Sequence, residues 1–125
     1  MDKFHRQTTQ ERGRWAEQLA VNWLHKQGLR EICRNYRCRR GEIDLIMQHH
    51  QAMVFIEVRY RASLLYGNAC ETIDLRKRDR IMKAAQHFLI THPRLASLPC
   101  RFDVVSVHGT FQDPELGWIQ GAFEA

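Results

Sequence analysis

Asp44 and Glu57 are two carboxylates that this sequence sets up to meet. Each lies in a segment that alternates as a strand does, 42–48 and 53–61, and the connection through His49-His50-Gln51 is short. A hairpin with a two-residue loop at His50-Gln51 pairs Leu45 with Ile56 and sets Asp44 across from Glu57. Directly opposed Cβ atoms on one face of a hairpin lie about 4.5–5.5 Å apart, and a one-residue slip would send the side chains to opposite faces. Two carboxylates about 5 Å apart repel by roughly 3 kcal/mol at an effective dielectric near 20. A cation must relieve this, or one group stays protonated. One remedy is a hard divalent ion such as Mg²⁺, which takes carboxylate and substrate phosphate oxygens. The other is a salt-bridge network closed by Arg59 and Arg61, which share the Glu57 face. Spacing alone leaves both open.

A third carboxylate, Glu17, lies at the edge of an apolar helical face, with Ala20, Val21 and Leu24 as its neighbours at i+3, i+4 and i+7. There it is partly withdrawn from water and needs a partner. The remaining candidates read more plainly. His49 and His50 fall at a hairpin tip and are expected in solvent, and Asp103 is expected to pair with Arg101 or a helix residue. Trp15 and Trp23 belong to the face that builds the core, whereas Tyr36, set among arginines, is a candidate to stack on a base. Cys33 and Cys38 have no second close pair to complete a zinc site, so the four cysteines read as buried or half-buried thiols.

The elements that must position these groups follow from pattern. Thr8 and Glu11 form a capping box opening a helix over about 9–27, and Gly28 stops it. Within 42–47, Glu42, Asp44 and Ile46 share one face and Ile43, Leu45 and Met47 the other. Strands are expected over 30–37, 42–48, 53–61 and 101–107, with 118–123 an edge strand or a packed tail. A second helix is expected from a Thr72 cap to about Thr91, ended by Pro93. The order αβββαβ describes an α/β domain with a mixed central sheet flanked by helices.

The chain has 125 residues, 44% hydrophobic and 26% charged, which suits one globular domain over 1–125, with about 1–8 as a flexible tail. Its longest apolar run, Ala52–Ile56, is far short of a membrane span, and no secretory signal opens it, so a cytoplasmic location is expected. Net charge is +5, but residues 1–83 hold 17 of the 19 Lys and Arg against 10 of the 14 acids. The runs Arg34-Asn35-Tyr36-Arg37-Cys38-Arg39-Arg40 and Arg76-Lys77-Arg78-Asp79-Arg80 suit a polyanion, because each phosphate contact releases condensed counterions. Arg37, Arg39, Arg40 and Arg61, with Tyr36, are the expected nucleic-acid contacts.

Several motifs together carry a resemblance. Gly41-Glu42-Ile43-Asp44-Leu45-Ile46, then Val54-Phe55-Ile56-Glu57-Val58-Arg59-Tyr60-Arg61, then Lys77 and Arg101-Phe102-Asp103-Val104-Val105 resemble the YraN family of bacterial proteins. Glu17 upstream and Arg34-Asn35-Tyr36-Arg37 between extend the likeness from about residue 11 to the C-terminus. The family is regarded as a group of predicted endonucleases, distantly similar to archaeal Holliday-junction resolvases and to restriction-endonuclease-like folds. The resemblance implies Mg²⁺ or Mn²⁺ held by Asp44 and Glu57, with Glu17 a direct or water-mediated ligand. It implies a DNA substrate, including branched or junction DNA, and, by analogy with the two-fold symmetry of a junction, a homodimer. The usual nuclease lysine, two positions after the Glu, is Arg59 in this chain. Arginine cannot act as a base near neutrality but can stabilise phosphoryl charge, and Lys77 could supply an ammonium from the second helix. Two other readings are a nucleic-acid-binding module without turnover and a protein–protein adaptor with a basic face.

Overall fold

Thr8 and Glu11 close the expected capping box: the Glu11 N–H donates to Thr8 Oγ1 at 3.0 Å and the Thr8 N–H to Glu11 Oε1 at 3.4 Å. Helix α1 (Thr9–Lys26) follows and buries Ala16, Ala20, Val21 and Leu24. Gly28, at φ +97°, turns the chain into the sheet. The structure, a computed structural model, describes residues 8–61 and 73–124.

Strands β1 (Leu29–Cys38), β2 (Gly41–His49) and β3 (Ala52–Arg61) run antiparallel in turn. Helix α2 (Leu75–Thr91) then crosses over to β4 (Cys100–Gly109), which lies parallel to β3. Strand β5 (Pro114–Phe123) returns antiparallel to β4 and completes a mixed sheet in the order β1-β2-β3-β4-β5. The α/β class is as expected. The last strand is longer than 118–123 and pairs with β4 as an edge strand, with a bulge between Ile119 and Phe123, so the element order is αβββαββ.

Two apolar layers sandwich the sheet. Phe55 and Met53 of β3 face α2, packing with Ile81, Ala84, Ala85 and Phe88. Val54 and Ile56, the alternate residues, face α1 with Ala16, Ala20 and Leu24. Gly41 lets α2 come close: a Cβ there would stand 1.8 Å from the Arg80 carbonyl oxygen. Asp74, not Thr72, caps α2, its carboxylate accepting from the Lys77 N–H at 2.8 Å. Thr72 lies outside the described residues, as do Cys70 and most of the expected N-terminal tail. Cys33, Cys38 and Cys100 are free thiols, the first two half-buried as expected, but Cys100, at the start of β4, is exposed.

Candidate active site

The loop at His50-Gln51 gives the anticipated register, from His49 opposite Ala52 to Leu45 opposite Ile56. Beyond Leu45 the regular ladder stops. The Val58 N–H donates to the Asp44 Oδ2 at 2.8 Å, so a side chain takes over the role of a strand carbonyl.

The irregularity extends to β1. Asn35, which falls opposite Asp44 between the pairs Arg34–Leu45 and Tyr36–Ile43, has φ +51°, the left-handed region in which Asn is among the more tolerant residues. Side-chain alternation breaks on both strands there. Cys33 and Tyr36 on β1, and Ile46 and Ile43 on β2, all join the layer under α2 although each pair is three positions apart. The expected placing of Ile43 on the face opposite Ile46 is therefore corrected, the cause being the kink at Asn35 and Asp44.

Three acids gather around this kink. Glu57, 5% exposed, lies beside Asp44. Burial first, then the charge of Glu57 and a hydrogen bond with it, push the Asp44 carboxyl well above the usual carboxylate range, against a smaller lowering by the Val58 N–H. Glu17 projects from α1 and accepts from the Asn35 Nδ2 at 3.2 Å. Burial raises its carboxyl as well, opposed by Asn35 and Arg34 and reinforced by the field of Glu57. Among the described residues no three His, Cys, Asp or Glu side chains converge tightly enough to grip one ion directly. Asp44 and Glu57 thus form the inner pair, with Glu17 in electrostatic reach of both.

The first turn of α2 supplies the countercharge. Lys77 Nζ lies 2.6 Å from Glu57 Oε2, bridging a half-exposed ammonium to a buried carboxylate. Beside it a cavity of about 360 Å³ is lined by Glu42, Asp74, Arg76, Lys77, Arg80 and Ile81. Arg39 and Arg40 form the exposed turn between β1 and β2, next to Gly41. Because Gly41 touches Arg80, the two basic runs of the sequence converge at one end of the sheet. Arg37 pairs loosely with Glu42 at 3.4 Å on the surface, and Arg61, also exposed, donates to the Tyr60 carbonyl at 2.9 Å. Arg59 follows Glu57 by two positions on the same strand.

Tyr36 departs from its expected role. Its hydroxyl is hydrogen-bonded to His87 Nδ1 and its ring packs edge to face on Phe88, so it is spent on holding α2 to β1. His50 is exposed as expected, but His49 is half-buried, with Nδ1 3.1 Å from Arg101 Nη2 and its ring against Trp118. Asp103 is fully buried and structural: Arg101 grips both its oxygens at 2.9 and 3.0 Å, and Trp118 Nε1 and the Gly121 N–H complete the set.

Sequence reasoning singled out neither Asn35 nor His108, and it offered Arg76 and Arg80 only as members of a basic run. His108 is 9% exposed with an Nδ1 that finds no partner among the described residues, and by alternation from Val104 it lies on the Glu57 side of the sheet.

Residues 16–107 match the profile of a group described as uncharacterised protein family UPF0102. A UPF0102 protein of Stutzerimonas stutzeri is 48% identical over 117 residues, covering 94% of this chain and 98% of the relative. One from Pseudomonas aeruginosa is 46% identical over 122 residues, covering 96% and 98%. One from Legionella pneumophila is 43% identical over 117 residues, covering 94% and 98%.

Proposed function

Since the chain belongs to the uncharacterised protein family UPF0102, the YraN family that its motifs resemble, its activity must be argued from its own site, and we propose a metal-dependent endonuclease that hydrolyses phosphodiester bonds in DNA. The observation that carries the proposal is the buried Glu57 beside the half-buried Asp44, with Lys77 at 2.6 Å from Glu57. The donor set is all oxygen, and burial, then the charge of Glu57, push the Asp44 carboxyl well above the usual carboxylate range. A hard divalent cation would relieve this, so the residues present fit Mg²⁺ or Mn²⁺.

Asp44 and Glu57 would hold the ion, with Glu17 reaching it through water. When bound, such an ion polarises a phosphate oxygen and lowers the pKa of an attacking water. The chain's own residues do the rest. The Val58 N–H orients Asp44, and Asn35 orients Glu17. Lys77 neutralises Glu57 in the resting site, and once Glu57 is otherwise compensated its ammonium is free to hold a phosphate oxygen. Arg59 can stabilise charge on the phosphoryl group but cannot accept the water's proton. Arg37, Arg39 and Arg40, together with Arg76 and Arg80, would bind the flanking backbone.

A second reading, a DNA-binding module without turnover, draws on the same ion pair, since Lys77 already compensates Glu57 without a metal. Cleavage of a panel of junction, flap, single-stranded, duplex and RNA substrates with Mg²⁺ or Mn²⁺ separates the two. Cleavage by the wild type and none by Asp44→Ala is expected. Binding without cleavage of any substrate would leave the module.

A further inference from the structure

Phe111, in the turn between β4 and β5, is 55% exposed, yet it is held in place from several directions. Its ring stacks on Trp15 of α1, with centroids 5.1 Å apart and planes 14° from parallel. Trp15 is braced in turn by the edge of Tyr60, at 5.6 Å and 80°. The Tyr60 hydroxyl donates to the Gly109 carbonyl at 3.1 Å, tying the turn to the end of β3. Gly109 sits at φ +89°, and a Cβ there would meet the Asp113 carbonyl at 2.6 Å. Asp113 closes the turn by donating its N–H to Thr110. An apolar ring fixed by its backing rather than buried by it keeps one flat face open, and ordering it further costs little entropy.

The charges nearby select the occupant. Arg12 and Arg14 flank Trp15 on exposed positions of α1, and exposed Arg61 follows Tyr60. An apolar protein segment would gain nothing from this cationic border, whereas a nucleotide presents a π-face and a phosphate together. Asp113 and Glu115 lie on the β5 side, so the phosphates are favoured on the α1 and β3 side. Tyr60 stands three residues beyond Glu57 on β3 and packs on the α1 layer, so the platform lies toward the end of β3 on the face opposite the Glu57–Lys77 contact.

We infer that the outer face of Phe111 is a stacking platform for an unpaired nucleobase, with Arg12, Arg14 and Arg61 receiving its flanking phosphates, so that the substrate class is DNA with single-stranded or splayed bases. The inference rests on the nuclease reading for its substrate, but its test requires no cleavage. A π-face accepts every base, so the platform reads unpairedness and not sequence.

The test is anisotropy titration, in EDTA, of a labelled oligothymidine and of a duplex of equal length. Phe111→Ala should weaken oligothymidine binding about fivefold or more and leave duplex binding within about twofold. Phe111→Trp should keep wild-type affinity and report stacking as fluorescence quenching. Unchanged oligothymidine affinity in Phe111→Ala, or equal losses on both ligands, overturns the platform while leaving the nuclease reading intact. A Phe111→Ala protein whose solution mass falls while its DNA affinity holds would make a second copy of the chain the occupant, and also overturns it. Wild type that binds neither oligonucleotide overturns the platform and the nucleic-acid reading together.

Discussion

Asp44 shows how one residue can be costly to the fold and useful to the site. Its carboxyl is raised above its ordinary value of 3.8, so the folded protein binds a proton that the unfolded chain releases. Through this group, stability is lost as pH rises through the folded pKa, and is recovered as pH falls toward the ordinary value. Bound Mn²⁺ should invert that slope, because the ion favours the ionised pair. Melting curves between pH 5 and pH 8, with and without Mn²⁺, should therefore trend in opposite directions for the Asp44 contribution, and like trends would count against an ion at Asp44. Asp44→Asn keeps an acceptor for the Val58 N–H and can donate to Glu57. It should raise the metal-free melting temperature by about 3–4 °C, near 1 kcal/mol, and abolish the Mn²⁺ shift. Lys77 and Arg59 divide by the same reasoning. Lys77→Ala strips the buried Glu57 of its ammonium and should cost turnover on the order of 10²-fold, with Lys77→Arg partly restoring it. If Arg59→Ala suffers the larger loss and Lys77→Ala keeps near-normal turnover, the phosphate contact belongs to the strand and not the helix.

Among the elements, α2 positions Lys77, and its placement depends on Gly41. The Cβ of Gly41→Ala would overlap the Arg80 carbonyl, a backbone atom that cannot rotate away. We expect a loss of about 3 kcal/mol or more, read by denaturant unfolding, and retreat of Lys77 from Glu57. Asp74→Ala should cost about 1 kcal/mol by uncapping the same helix. Much at this scale was legible in the sequence: the capping box of α1 and the β2–β3 register as far as Leu45–Ile56 follow from local chemistry. The ladder stops before Asp44, however, which meets Glu57 through its side chain and not as a ladder pair. The kink at Asn35 was not legible, because a left-handed Asn inside an apparent strand is held by a tertiary partner, Glu17 of α1, that no local pattern reports. Neither was the Lys77 contact, since the angle at which α2 crosses the sheet is fixed by Gly41 and the apolar layer beneath, which no periodicity reports. Tyr36 misled for a related reason: arginines beside it in sequence said nothing of His87 and Phe88, which lie fifty residues on and claim its hydroxyl and ring.

For the whole molecule, the charge asymmetry of the sequence becomes a basic end, where the Arg37–Arg40 turn meets the first turns of α2. Replacing Arg37, Arg39 and Arg40 together by Ala should weaken DNA binding alike across sequences. It should also flatten the slope of log affinity against log salt by up to about 3, provided all three meet phosphates. An unchanged slope would move the phosphate track toward Arg76 and Arg80. The sheet has a property of another kind: its strands stand side by side in the order in which they are made. Every new strand therefore finds its neighbour already formed, and the sheet can grow in one direction from a β1–β2–β3 meander with short loop closures. The step from β3 to β4 is different, since a parallel neighbour requires the whole α2 crossover first. That crossover carries Lys77 to Glu57, so the closure that sets β4 beside β3 also assembles the site, and a chain stalled before it would hold its carboxylates without their ammonium.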